Sequence, residues 1–396
     1  MRNIKNIDEL SIAEKRVFLR LDLNVPLNDE NRVADDTRIL ASLPTIEYAL
    51  KQNAAVMVCS HLGRPIEGIY DEKYSLSPVR NYLEVCLGRK IKLIRNWFGG
   101  LVSIKPGELV ILENARFVKG EASNDPEVAK TLSGMFDVYI NDAFATAHRK
   151  EMTIHQLPMK SSIKGCGFLF KKEIDSLREV LGSSRNQTLA IIGGAKVSTK
   201  LELFNVLSEK VKCIIAGGGL ANTFLKAIGH EIGNSMYEEM FIDSAKKIIE
   251  KAKSLNTKLI LPTDVRVSSD ITQELNSRIV KLNHISVDDV ILDFGPETMR
   301  IISKEVNEAN KILWNGPLGV FEKDAFSYGT RILAELIKDA PGYTIAGGGD
   351  TIAAIKKFID VDMLDYVSTG GGAFMEFFEK NGNIPAIEAL NPEFSS

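Results

Sequence analysis

Short runs rich in Val, Ile and Leu, among them VFLRLDLNV, AAVMVCS, ELVILEN, DVYINDAF, TLAIIGG, KCIIAGGG, KLILP, KILWNG and YTIAGGG, recur along the chain. Helix-length amphipathic segments such as DTRILASLPTIEYALKQ and EEMFIDSAKKIIEKAKS separate most of them. That alternation predicts parallel α/β architecture, which binds its ligands at the carboxyl ends of the strands. A chain of 396 residues is too long for one compact core. It fits two domains of roughly 150 to 200 residues each. The expectation is therefore two Rossmann-like domains, each a parallel sheet flanked by helices, with a cleft between them.

The strands of the two halves end differently. Up to about residue 170 they end in polar and cationic residues: Arg20, Asp22 and Asn24, then His61 and Arg64, then Arg116, then His148 and Arg149. After residue 190 they end in glycines: Gly193 and Gly194, Gly217 to Gly219, Gly347 to Gly349, and Gly370 to Gly372 after LDYVST. Between the two styles lies FKKEIDSLREVLGSS, Phe170 to Ser184, with helical spacing. It is the candidate hinge helix, which puts an N-terminal domain at 1–170 and a C-terminal domain at 171–380.

Composition narrows the function classes. A hydrophobic share of 44% and a formal charge of -3 describe an ordinary soluble protein without the basic excess of a nucleic-acid binder. Small molecules are the expected partners, with no nucleic acid and no membrane. The start, MRNIKNIDELSIAEK, has no apolar core of a signal peptide, and no later run approaches the roughly 18 apolar residues of a membrane span. Cys59, Cys86, Cys166 and Cys213 are widely separated and form no C-x-x-C pair, so buried reduced thiols and a cytoplasmic location are expected.

The standard phosphate motifs fail one by one. There is no Gly-Lys dipeptide, which excludes a Walker A loop, and each glycine triplet breaks the dinucleotide fingerprint at its sixth position, with Asn222, Ile352 and Met375. A doubly wound dehydrogenase is thereby disfavoured. The DFG at Asp293 to Gly295 has no H-R-D before it and is taken as coincidence.

A more general phosphate-binding device survives. A glycine turn lets backbone N–H groups approach an anion, and the helix after it aims its positive end at the same place. Several such turns in one domain suit a polyphosphate, although each alone is equally a tight strand-to-helix connection. Lys196 and Lys200 are spaced to share one face of a helix, as anion ligands or as two solvated lysines. Asp350 on GGGDT can supply an oxygen to Mg²⁺, or it can cap the helix. In the first half, Arg20, Arg38, Arg64, Arg116 and Arg149 with His61 suit a small, multiply anionic molecule, since the guanidinium fork grips carboxylate and phosphate bidentately. Singly, each arginine is half of a surface salt bridge and His61 is a structural histidine, as His155, His230 and His284 are taken to be.

Two anion sites imply transfer of something between them. Phosphoryl transfer needs chiefly positioning and charge neutralisation. No catalytic base stands out, which suits a carboxylate acceptor that is already ionised at neutral pH.

RLDLNVPL, SHLGRP, LENARF, NDAFATAHR, IIGGAKVSTK, AGGGLANTFLKAIGHEIG, LPTDV, LDFGPET, WNGPLGVFE, AGGGDT and STGGGA occur in this order. On these blocks the chain resembles the phosphoglycerate kinase family over nearly its whole length, and the DFG falls inside one of them. The resemblance implies reversible phosphoryl transfer between 1,3-bisphosphoglycerate and ADP, giving 3-phosphoglycerate and ATP, with Mg²⁺. It implies that Asp22, Asn24, Arg38, His61, Arg64, Arg116 and Arg149 bind the glycerate and its phosphate, with Arg20 in support. Arg38, Lys196 and Lys200 are the implied catalytic residues. The nucleotide falls to Lys196, Lys200, Gly218, Gly219, Asn315, Pro317, Glu322, Gly348, Gly349, Asp350 and Thr351. Glu322 is implied at the ribose, Thr351 at a phosphate, Asp350 at the metal, and Gly371 and Gly372 at a helix N-terminus facing phosphate. A monomer is expected, with a tail of about 381–396 docking on the first domain and a hinge around Lys150 to Ser184.

Departures from the family pattern are modest. Leu23 stands for the usual phenylalanine, Ala145 for a common glycine, and Thr199 for the typical aspartate before Lys200. KEMT, Lys150 to Thr153, replaces a run of small residues and is expected to alter the hinge. IRNWFGG replaces an acidic stretch. None deletes a matched ligand. The remaining rival is a nucleotide-binding regulator or adhesion module without catalysis.

Overall fold

The computed structural model describes residues 4–99, 102–182, 185–272 and 276–391. Residues 183 and 184 of the hinge segment, residue 100 of IRNWFGG and residues 392–396 of the tail lie outside the described residues. The chain forms two compact units, one made by residues up to Asp175 together with those from Gly382 on, the other by Ser176–Asn381.

In the first unit β1 (Arg16–Arg20) leads through α1 (Thr37–Lys51) to β2 (Ala55–Cys59), then α2 (Ser77–Leu87), β3 (Lys92–Ile94) and β4 (Leu109–Leu112). After α3 (Pro126–Ser133) come β5 (Val138–Asn141), α4 (Gln156–Met159), β6 (Lys164–Cys166) and the start of α5 (Phe168–Leu181), within which the two units divide. The six strands are parallel in the order β3-β4-β2-β1-β5-β6. Every residue of β2 is buried, as a central parallel strand covered on both faces requires. Local chemistry sets the helix ends: Asp125 accepts from the backbone N–H of Glu127 and Val128 ahead of Pro126, and Gly88 closes α2 in the left-handed region.

In the second unit β7 (Thr188–Ile192) is followed by α6 (Leu201–Lys210), β8 (Cys213–Ala216), α7 (Gly219–Ala227), α8 (Ile242–Ser254) and β9 (Lys258–Ile260). The strands β10 (Asp264–Ser268), β11 (Arg278–Lys281) and β12 (Val290–Phe294) then form a separate antiparallel sheet. This small sheet is an addition to the expected parallel sheets; LPTDV and LDFGPET carry two of its strands, and their short runs hold no sign of direction. The chain closes the unit with α9 (Pro296–Glu308), β13 (Lys311–Asn315), α10 (Tyr328–Lys338), β14 (Tyr343–Gly347), α11 (Gly349–Phe358), β15 (Tyr366–Ser368) and α12 (Gly372–Glu379). Its parallel sheet runs β15-β14-β13-β7-β8-β9, so strand order reverses between β7 and β13. A doubly wound sheet binds its ligand at that switch point. The last helix, α13 (Pro385–Leu390), belongs to the first unit, where Ala386 N–H donates to the Ala147 carbonyl at 3.0 Å.

Each unit has its own apolar core. Val17, Leu19, Val56, Val58, Ile111 and Ile140 meet helix residues such as Ile39, Ile46, Val79 and Leu83 in the first. Leu189, Ile191, Ile215, Ile312 and Trp314 meet Ile302, Leu333 and Ile355 in the second. Cys59 and Cys213, which fall inside apolar runs of the sequence, are buried and free, as is Cys166, whereas Cys86 is exposed. Among the described residues no helix is long and apolar enough to cross a membrane.

Candidate active site

In the first unit the polar residues lie just beyond the carboxyl ends of β1, β2, β4 and β5. Asp22, 5% exposed, divides its carboxylate between the backbone N–H of Asn24 at 3.2 Å and Arg38 Nη1 at 2.7 Å. The same Arg38 nitrogen donates to the Asn24 carbonyl at 3.2 Å, and Asn24 Oδ1 accepts from Gly63 N–H at 2.9 Å. Asp22 and Asn24 are therefore aligned to hold Arg38 and the SHLGRP loop. In that loop the Gly63 carbonyl accepts from Arg116 Nη1 at 2.6 Å, while Asn114 accepts the Arg116 N–H at 3.0 Å and fixes the turn that presents it.

Arg64, Arg116 and Arg149 line one cavity of about 320 Å³, shared with Pro65, Glu67, Glu121, Ala122 and Glu151. Arg116 Nη2 and Arg149 Nη1 converge on a single oxygen, Glu151 Oε1, at 3.0 and 3.4 Å. The patch that reads as purely basic in the sequence is thus internally compensated. Sequence reasoning misses the three acids because carboxylates scattered through a chain look like solvated surface; only KEMT, which carries Glu151, stands out as a departure.

Arg20, expected in support of the basic patch, lies beneath the surface. It is 0% exposed, donating from Nε to Thr153 Oγ1 at 3.1 Å and from Nη1 to the Leu21 carbonyl. Thr153 Oγ1 in turn donates to Glu121 Oε1 at 2.6 Å. Arg20 is a scaffold beneath the cavity. His61, 2% exposed, sits with Nδ1 3.5 Å from Arg20 Nη2. Burial, reinforced by Arg20, Arg116, Arg149 and Arg38, pushes its pKa well below the ordinary histidine range, so its ring is neutral. Burial raises Glu121 to about 7 against the pull of Arg20.

In the second unit the glycine turns gather at the switch point. Gly193 comes after β7 and Gly316 after β13, and a Cβ on Gly193 would stand 1.8 Å from the Pro317 carbonyl oxygen, a contact only glycine avoids. Gly218 has φ +67° and precedes α7; its Cβ would lie 2.7 Å from the Gly194 carbonyl oxygen. Gly348 and Gly371 occupy the same position before α11 and α12. A cavity of about 250 Å³ opens here, lined on one side by Gly194, Gly218, Gly219 and Pro317, with Glu322 and Asp350 at it. Met236, Ile291, Leu292, Phe294, Leu318 and Val320 add an apolar wall that motifs do not reveal, since core and ligand wall have the same composition.

Lys196 and Lys200 do not share a helix face. The segment between them is a turn, and Lys200 is the N-cap residue of α6. Lys196 is exposed. Lys200 folds inward, its Nζ 2.6 Å from the Gly193 carbonyl and 2.5 Å from Asn315 Oδ1. Burial lowers its pKa to about 8, with Asp350 pulling the other way. Asn315, 2% exposed, also donates from Nδ2 to the Gly347 carbonyl at 2.7 Å. Thr351, 1% exposed, accepts from Gly316 N–H at 2.8 Å and donates to the Gly347 carbonyl at 2.8 Å. Each of these two residues, expected at the nucleotide, holds neighbouring turns together here. Asp350 is exposed in the first turn of α11, whose N-cap is Gly348, so it does not cap that helix.

The family model for phosphoglycerate kinase matches residues 7–381. The chain belongs to the phosphoglycerate kinase family. A phosphoglycerate kinase of Francisella tularensis subsp. tularensis is 43% identical over 384 residues, covering 97% of each chain. The structure of phosphoglycerate kinase from Coxiella burnetii superposes with a TM-score of 0.95 at 41% identity, covering 98% of this chain and 99% of that one. Phosphoglycerate kinase from Pyrococcus horikoshii OT3 gives 0.80 at 30% identity, covering 98% of each.

Within the phosphoglycerate kinase pattern the departures now have locations. Leu23 is fully buried in the first core. Thr199 Oγ1 donates to the Lys196 carbonyl at 3.0 Å. In IRNWFGG, Trp97 is buried and its Nε1 donates to the Glu113 carbonyl at 2.7 Å. KEMT delivers Glu151 and Thr153 to the arginine cluster.

Proposed function

We propose that the arginine cavity takes the phosphate of the phosphoglycerate and that the glycine-turn cavity takes the nucleotide. Membership of the family carries the reaction, reversible transfer of a phosphoryl group between 1,3-bisphosphoglycerate and ADP to give 3-phosphoglycerate and ATP, the glycolytic step. The observation that carries the assignment is the convergence of Arg116 and Arg149 on one carboxylate oxygen, which makes their forks jointly available to one anion. Arg64 on the same cavity supplies a third cation, and His61 stays neutral beside it.

On the nucleotide side the apolar wall suits a planar base, Glu322 the ribose hydroxyls, and the N-termini of α7, α11 and α12 the phosphates. Arg38 and Lys196 balance charge on the moving phosphoryl group, and Lys200 turns from its carbonyl partners to the nucleotide phosphates. The donor set fits Mg²⁺ arriving with the nucleotide: Asp350 is an exposed carboxylate at the cavity, and among the described residues no cluster of three or more His, Cys, Asp and Glu forms a metal cage. When bound, the ion neutralises phosphate charge.

The unit up to Asp175 with the tail is on this reading the phosphoglycerate-binding domain, and Ser176–Asn381 the nucleotide-binding domain. Water competes as acceptor, so we take transfer to require closure through bending at Lys150 to Ser184. Small-angle scattering with both substrates should then show compaction; an unchanged radius of gyration counts against it. We take the protein as a cytoplasmic monomer.

Calorimetric titration tests the two assignments separately. Arg149→Ala should abolish binding of 3-phosphoglycerate while leaving ADP binding intact. Retained binding of the acid overturns the first assignment.

A further inference from the structure

The arginine cavity is lined by as many carboxylates as guanidiniums, Glu67, Glu121 and Glu151 with Arg64, Arg116 and Arg149. Two of the acids are occupied by structure. Glu67 Oε1 accepts from Ala122 N–H at 2.9 Å, and both oxygens of Glu121 are taken by Thr153, from Oγ1 at 2.6 Å and from N–H at 3.0 Å. Glu151 differs. Its Oε1 alone serves Arg116 and Arg149, the second contact being long at 3.4 Å, and its Oε2 is buried with no hydrogen-bond partner.

We propose that Glu151 is a built-in competitor for the cavity, an internal carboxylate that occupies Arg116 and Arg149 until a phosphate displaces it, and so sets the affinity and the selectivity of the site. The inference rests on the reading that this cavity receives the substrate's phosphate.

The physical case is an exchange. A buried acceptor without a partner is costly, so the carboxylate is held in an incompletely satisfied position, and its departure removes that orphan. A phosphate dianion brings more oxygens and more charge than the single oxygen it replaces, and it lets both guanidinium forks bind bidentately. A singly charged carboxylate ligand trades like for like and gains little. The cavity therefore rejects carboxylates and accepts phosphates, at the expense of some phosphate affinity. Burial works against the charge on Glu151, yet Arg20, Arg116 and Arg149 hold its carboxyl below the ordinary glutamate range. The competitor is thus ionised at neutral pH. Glu151 acts through the arginines and is a specificity-setting residue, with no part in the reacting atoms.

The test titrates the full-length protein and Glu151→Gln with inorganic phosphate and, separately, with 3-phosphoglycerate. Glu151→Gln should bind inorganic phosphate about tenfold more tightly, equivalent to about 1.4 kcal/mol. The KM for 3-phosphoglycerate should fall in step while the KM for ATP does not move. Arg149→Ala should abolish the phosphate signal. Should Glu151→Gln fail to fold, Glu151→Ala answers the same question. Unchanged or weaker phosphate binding in the neutral variant overturns the proposal, and weaker binding would make Glu151 a support for the arginines. If the variant gains phosphate affinity while neither protein takes 3-phosphoglycerate, the functional reading falls and the competitor stands. If the acid binds and turns over but the variant gains nothing, the reverse holds.

Discussion

Lys200 is tied to Asn315: its Nζ donates to Asn315 Oδ1 at 2.5 Å and to the Asn315 carbonyl at 3.1 Å. Through its other side-chain atom, Nδ2, Asn315 reaches the Gly347 carbonyl at 2.7 Å, so one amide links the connections after β7, β13 and β14. Asn315→Ala should leave the Gly347 carbonyl without this donor and release Lys200. Thr351 Oγ1 still donates to that carbonyl at 2.8 Å, so we expect turnover to drop about tenfold and stability to fall by about 1 kcal/mol, the net worth of one lost hydrogen bond. Steady-state rates and thermal melts of the variant check both.

If Lys200 meets the nucleotide phosphates as proposed, its lowered pKa should make nucleotide binding proton-linked. With the free pKa lowered to about 8 by burial, phosphates that favour the ammonium raise it on binding, and the protein takes up a proton where Lys200 had lost one. Uptake should be small at pH 7, about half a proton at pH 8, and close to one at pH 9. Calorimetry of ADP binding in buffers of different ionisation enthalpy measures it. Uptake that does not rise with pH, or that persists in Lys200→Arg, removes Lys200 from this role.

Arg38, fixed by Asp22 and Asn24, and Lys196, exposed on the turn after β7, are assigned to charge balance on the moving phosphoryl group. Arg38→Ala and Lys196→Ala should each lose at least about 100-fold in turnover, as removal of a charge-stabilising group does. Near-normal rates in either would overturn its role.

Asp293 lines the cavity proposed for the nucleotide and is 1% exposed. Its Oδ2 accepts from Gly329 N–H at 2.8 Å, while Oδ1 is buried without a partner. Burial raises its pKa from 3.8 to about 7. A carboxyl raised in the folded state contributes stability that is fully present below its unfolded pKa and lost as pH rises through the folded one. Wild type should lose stability between about pH 4 and pH 7 through this group. At pH 8 Asp293→Asn should therefore be more stable than wild type by on the order of 2 kcal/mol, with the two converging near pH 4. Denaturant melts at the two pH values decide; a variant less stable at pH 8 contradicts the sign.

Much of this is legible in the residues themselves. The alternation of apolar runs and amphipathic segments locates the parallel strands, and the switch from cationic strand ends such as Arg116 to glycine ends such as Gly218 separates the two proposed anion sites. Side-chain direction is not legible. Lys196 and Lys200 have helical spacing, but the turn after Gly194 ends helical periodicity before Lys200, which then folds back on Asn315. Thr351 and Asn315 sit in blocks that resemble ligand positions, and nothing in those blocks shows that their polar atoms also bind neighbouring turns. Glu151 emerges only once the connection from β5 brings it against Arg116, since no local pattern links residues 35 apart.

Turnover is the most direct test of the proposed chemistry. A coupled assay of the purified protein with 3-phosphoglycerate, ATP and Mg²⁺ should show ADP and 1,3-bisphosphoglycerate forming together, with the reaction reversible and lost in Arg149→Ala. A correctly folded wild-type protein that binds both substrates and yields no acyl phosphate would contradict it.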